Sequence, residues 1–160
     1  MQGVAWIKDF IHGPTHQLVI RLNQMKTLSS IEKRFRKIAE QLDAPMESRV
    51  FRKTPHHDGS RHCEFDGTSY SYITSERGEC FDAQTTRDPS ELLFWLVTDM
   101  TRDMASDFEL NNRKPNDDAD TRLAMFDQHV ELLSKIDENW ALKIRREYDR
   151  ILKKHPPTVG

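Results

Sequence analysis

The sequence predicts an α+β fold: a small three- to four-stranded antiparallel β-meander packed against about four α-helices. Three observations carry that prediction. Two turn dipeptides, Asp66-Gly67 and Arg77-Gly78, cut residues 61–86 into short runs whose side chains alternate in character. On either side of this stretch, apolar residues recur at helical spacing. Two of the helical segments open on an acidic cap, Asp88 and Asp137.

Residues 1–24 read as an N-terminal extension, with a single domain spanning 25–157. In the extension, Val4, Trp6, Ile7, Phe10 and Ile11 suit a short helix stopped by Gly13-Pro14, and Leu18, Ile20 and Leu22 suit a short strand. The first helix of the domain is announced by Ser29 and Glu32, which have capping-box spacing. Ile31, Phe35, Ile38 and Leu42 fall on one face, and Ala44-Pro45 ends it. Residues 46–60 form an irregular connection, with room for a short strand at Arg49–Lys53.

The meander can be registered by arithmetic. A two-residue turn at Asp66-Gly67 pairs Phe65 with Thr68 and Cys63 with Tyr70. A two-residue turn at Arg77-Gly78 pairs Thr74 with Phe81 and Tyr72 with Ala83. Together they place Cys63, Phe65, Tyr70, Tyr72, Phe81 and Ala83 on an apolar face. His62, Glu64, Ser71, Ile73, Ser75, Cys80 and Asp82 take the polar face. The two cysteines thus lie on opposite faces of outer strands, where they cannot bond.

The second helix starts with Asp88 as cap, Pro89 in the first turn and Glu91 completing a box. Leu92, Leu93, Leu96, Val97, Met100 and Met104 form its buried stripe, which extends to Phe108. Residues 111–120 are a polar loop. A third helix from about Ala119 to Ile136 offers Leu123, Phe126, Val130 and Leu133. A fourth, from about Glu138 to Lys154, offers Trp140, Ile144, Tyr148 and Ile151, with Asp137 as cap and Pro156-Pro157 as stop. The short link between them implies an antiparallel pair.

Net charge is −2 over 160 residues, but it is unevenly spread. Residues 61–138 hold 8 basic and 18 acidic side chains, a net −10, between ends of +4 each. Such a middle attracts basic partners and repels phosphate. No stretch has the length of a membrane span or a signal peptide's apolar core, so the expected compartment is the cytosol.

The residues that could carry chemistry form no convincing constellation. His56, His57, His62 and Cys63 cluster in sequence, but zinc needs a second ligand pair that is not there. Neither Cys63 nor Cys80 stands in an activating context. Asp117, Asp118 and Asp120 lack the alternation and closing Glu of a calcium loop. No cofactor is implied. Two alternatives stay open: a metal- or thiol-dependent enzyme built on the histidine–cysteine cluster, and a nucleic-acid regulator using Arg145, Arg146, Arg150, Lys153 and Lys154. The more distinctive feature is on the second helix. Glu91, Trp95, Asp99, Asp103 and Asp107 are spaced four apart, so an aromatic sits in a stripe of carboxylates. Like charges at this spacing destabilise a helix, which marks the stripe as a candidate partner-binding surface.

Four pieces of the chain, in order, resemble one family. They are Glu64–Gly67 with Tyr70–Gly78; Thr85–Trp95 continuing to Phe108-Glu109-Leu110; Phe126–Ile136; and Trp140-Ala141 with Ile151–Pro156. This pattern resembles the bacterial immunity protein 63 family, from about Met25 to Pro156. The resemblance implies a non-enzymatic protein that binds and neutralises the toxin domain of a polymorphic toxin system. It implies no catalytic residues, while the net charge argues for no nucleic-acid partner and the lack of a spanning segment for no membrane partner. It leaves the oligomeric state open.

Overall fold

The computed structural model describes residues 27–113 and 120–157. The readings made for residues 1–24, and for Asp117 and Asp118, lie outside the described residues. The described chain runs α1 (Leu28–Gln41), a 3₁₀ turn (Met46–Ser48), β1 (Asp58–Phe65), β2 (Tyr70–Glu76), β3 (Glu79–Thr86), α2 (Pro89–Asn112), α3 (Thr121–Ser134) and α4 (Glu138–Lys154). This is the α+β meander with four helices that the sequence predicts.

The cap of α1 is Thr27, not Ser29: Thr27 and Ser30 satisfy each other's backbone N–H groups. Glu32 is drawn elsewhere. It binds Lys53 Nζ at 2.6 Å and Arg36 Nη2 at 2.8 Å, which holds its carboxyl below the usual carboxylate range. It thereby ties α1 to the irregular segment before β1. That segment forms no strand, although Cys63 N donates to Arg52 O at 2.8 Å.

The sheet is antiparallel in the order β1-β2-β3. Its first connection is a four-residue loop. Phe65 pairs with Tyr70 and Cys63 with Tyr72, because Asp66 Oδ1 accepts from both Thr68 N and Ser69 N and closes a longer turn. The expected pairing was therefore off by two. A slip of two preserves side-chain parity, so Cys63, Tyr70 and Tyr72 keep the apolar face. The second connection is the expected two-residue turn, with Arg77 at φ 51° and Gly78 at φ 87° between Glu76 and Glu79.

Beyond it, a β-bulge changes the outcome. Ser75 pairs with Cys80 but Thr74 pairs with Asp82, leaving Phe81 as the extra residue. One inserted residue reverses parity. Ala83 consequently lies opposite Ile73 on the outer face, and Phe81 is 64% exposed. Neither joins the apolar face as the turn arithmetic expected.

Helix α2 is the centre of the molecule. It packs on α1, β2, β3 and α3, and α3 in turn packs on α4. Asp88 caps it by accepting from Ser90 N, with Pro89 in the first turn. Glu91 does not close a box; it accepts a hydrogen bond from Thr86 Oγ1 at 2.7 Å and fastens the strand-to-helix corner. The helix continues through Asn111 and Asn112, which the sequence reading had placed in the loop. Asp120 caps α3 and Asp137 caps α4, the latter accepting from Asn139 N and Trp140 N.

The core joins Ile31, Phe35 and Ile38 of α1, Tyr70 and Tyr72 of β2, and Leu92, Val97 and Met100 of α2 to Leu133, Ala141, Ile144 and Tyr148. Phe94 and Trp140 meet edge to face at 5.5 Å, and Phe126 stacks on Tyr148 at 3.7 Å. Leu123, expected on the buried face of α3, is 39% exposed. His129 takes an inward position instead and is fully buried.

His129 belongs to a closed hydrogen-bond chain. Thr101 Oγ1 donates to Val97 O at 2.7 Å and so can only accept from His129 Nε2, 3.0 Å away. That assigns the proton to Nε2 and leaves Nδ1 to accept from the Tyr148 hydroxyl. Burial, with Arg102 nearby, lowers the His129 pKa from 6.5 to about 4. The neutral imidazole is thus the form that fits.

Candidate partner-binding site

A cleft of about 380 Å³ opens between the segment around the 3₁₀ turn and α2. Its floor is apolar and aromatic, with Phe35, Tyr72, Leu96 and Met100. Its walls are charged: Glu47 and Arg52 come from the segment before β1, Arg61 from β1, and Asp99, Arg102 and Asp103 from α2. Helix periodicity explains the α2 wall. Asp99 and Asp103 are one turn apart, and Leu96 and Met100, at the same spacing, carry the floor.

Asp99 is fully engaged. It accepts from the Tyr72 hydroxyl at 2.9 Å and lies 3.5 Å from Arg61 Nε and 3.6 Å from Arg102 Nη2. Arg61 also stands over the Tyr72 ring at 5.0 Å. Burial and the adjacent Asp99 carboxylate push the Tyr72 phenol well above its usual range, so it acts only as a donor. This knot fixes the sheet to α2 at the bottom of the cleft.

Asp103 is different. Among the described residues it has no ion-pair partner, and neither has Glu47 across the cleft. Partial desolvation, then Asp99 and Asp107, raise the Asp103 carboxyl pKa against the lowering effect of Arg102.

The five residues of the predicted stripe thus separate. Glu91 is consumed by Thr86, and Asp99 by Tyr72 and the arginines. Trp95 is half-buried and packs against the core. Asp103 lines the cleft and Asp107 lies exposed one turn further on. Sequence spacing found the α2 half of the cleft. It missed Glu47, Arg52 and Tyr72, which only the tertiary fold brings there.

The other candidate groups do not converge. His56 and His57 are exposed in the loop before β1, whereas Cys63 faces the helices. Burial drives the Cys63 thiol up to about 12, far from a thiolate. His62 sits on the other face of β1, buried, with Nε2 at 3.1 Å from Glu64. Among the described residues no three His, Cys, Asp or Glu side chains are placed to hold a metal. Arg145 of the basic helix pairs with Asp127 at 2.6 Å. No helix of the described residues is long and apolar enough to cross a membrane.

Comparison with known proteins adds one match. The family model described as immunity protein 63 covers residues 66–150, from the first hairpin loop almost to the end of α4. No curated protein matches, and no solved structure does. The matched span includes all of α2, hence Asp99, Arg102 and Asp103, but not the Glu47–Arg52 wall. The family points to a toxin-binding role without catalysis of its own, and with more than half of its length matched, this chain belongs to the immunity protein 63 family.

Proposed function

We propose that this chain neutralises a cognate secreted toxin acting in the cytosol, by stoichiometric protein–protein binding, with residues 25–157 as the binding domain. The toxin-facing surface is the α2 stripe of Glu91, Trp95, Asp99, Asp103 and Asp107. The observation that carries this choice is the unpaired carboxylate of Asp103 on the wall of an open cleft, in a family whose members serve toxin immunity. A fold keeps a destabilising like-charge run when a binding partner compensates it. An acidic surface of this kind suits a toxin with a basic, phosphate-binding cleft, such as a nuclease.

The test is association with the toxin domain encoded beside this chain's gene. The reading expects a one-to-one complex, protection of cells expressing that toxin, and an association rate that falls at least tenfold between low and high salt. An unchanged rate across that range would remove the steering argument. Absence of any complex would remove the toxin-binding reading itself.

A further inference from the structure

Resting on that toxin-binding reading, we propose that the cleft is a socket for a single basic side chain of the toxin, its cationic head held by Glu47 and Asp103 and its stem lying on Met100 and Leu96. The pairing of charges in the cleft, not their sum, supports this occupant. Six charged side chains line it, three of each sign. Arg102 pairs with Asp99, and Arg61 with both Asp99 and Asp82. Arg52 contacts His56 Nε2 at 3.4 Å, on the loop side of the cleft. The carboxylates left without an ion pair are Glu47 and Asp103, one from each wall. An anionic ligand would meet both of them; a guanidinium or ammonium between them is attracted by both and offsets one of their two charges.

The surroundings fit a side chain delivered by a protein. Val50, which lines the cleft, is 45% exposed, and Met46, next to Glu47 in sequence, is 74% exposed. Exposed apolar side chains around a charged socket exclude water from the ion pair when a partner closes over them. The floor of Leu96 and Met100 is buried and apolar, which suits the methylenes of Arg or Lys. The Tyr72–Asp99–Arg61 knot holds the floor in place, so the socket is preformed. Asp103 also repels Asp99 and Asp107 along α2, so its charge works against the free fold and is relieved when a cation arrives.

The experiment uses the full chain and the toxin domain encoded beside it, rendered inactive. Affinity is measured for wild type, Asp103→Asn, Glu47→Gln, the double variant, and Asp149→Asn as an exposed acid on α4. Each cleft substitution is expected to weaken binding at least tenfold, mostly through faster dissociation, and Asp149→Asn to stay within twofold. Thermal melting of the free proteins should show Asp103→Asn at or above wild type, which separates a binding role from a structural one. Wild-type binding together with a double variant within twofold overturns the socket and leaves the toxin-binding reading standing. Failure of wild type to bind overturns that reading, and the socket with it.

Discussion

Acidification should destabilise this protein through one buried histidine, and the size of the effect follows from the His129 chain. Above pH 6.5 His129 is neutral in both the folded and the unfolded protein, and it favours neither. Below 6.5 the unfolded chain takes up a proton that the folded protein refuses until its own pKa of about 4. Stability therefore falls as pH drops through this window. The gap is about two and a half pH units, and at about 1.4 kcal/mol per unit the loss approaches about 3.5 kcal/mol below pH 4. His129 is fully buried, so solvent does not screen this cost. A domain of ordinary stability, about 5–15 kcal/mol, would lose a substantial share of it. Urea unfolding of wild type and His129→Gln at pH 7 and pH 4.5 isolates the effect, because carboxylates titrate alike in both. Wild type should lose about 2.5 kcal/mol more than the variant. The imidazole resonances of the wild-type protein give a second reading, and should remain those of the Nε2–H tautomer at pH 5. Superimposable stability profiles, or a His129 that titrates near 6.5, would refute the argument.

Three further outcomes follow from the packing. Leu92→Ala removes a fully buried side chain from the central helix and should cost about 2–5 kcal/mol, read as a lower urea midpoint at unchanged slope. Asp137→Ala strips the α4 cap of an acceptor for two backbone N–H groups and should cost about 1 kcal/mol by the same measurement. With a thiol reagent at pH 8, exposed Cys80 should label at once, while Cys63, buried and with a pKa near 12, should label only under denaturant; equal rates would contradict its burial.

Local chemistry was legible wherever it acts over a few residues. Asp88-Pro89 and Asp137 start helices because a carboxylate next to a helix N-terminus satisfies exposed N–H groups, whatever lies further off. Arg77-Gly78 makes its turn because the geometry needs positive φ. The faces of β1 and β2 came out right even though the first loop was two residues too short in the reading, since parity survives an even slip. It does not survive an odd one. Nothing local marks Phe81 as a bulged residue, so every face assignment past it inverted.

The candidate site divides along the same line. The α2 carboxylates show up in sequence as a spacing of four. Their separate fates depend on Thr86, Tyr72 and Arg61, which other elements deliver. Glu47 looks like any solvated acid until the chain folds its segment against α2. His129 could have been found: it lies three residues after Phe126 and four before Leu133, inside the buried face, and a polar residue there calls for partners.

The outermost strand has a consequence for how stability is spread over the molecule. β3 sends no side chain fully into the core, and Glu79 through Ala83 are all exposed. Its backbone is paired on one side only, to β2, and the bulge interrupts even that ladder. Peeling β3 away would uncover little apolar surface, so it opens at a free energy well below that of global unfolding. The helices and the β1–β2 ribbon form the cooperative unit. β3 is a rim on which sequence can drift, and amide protons can exchange, while that unit stays closed.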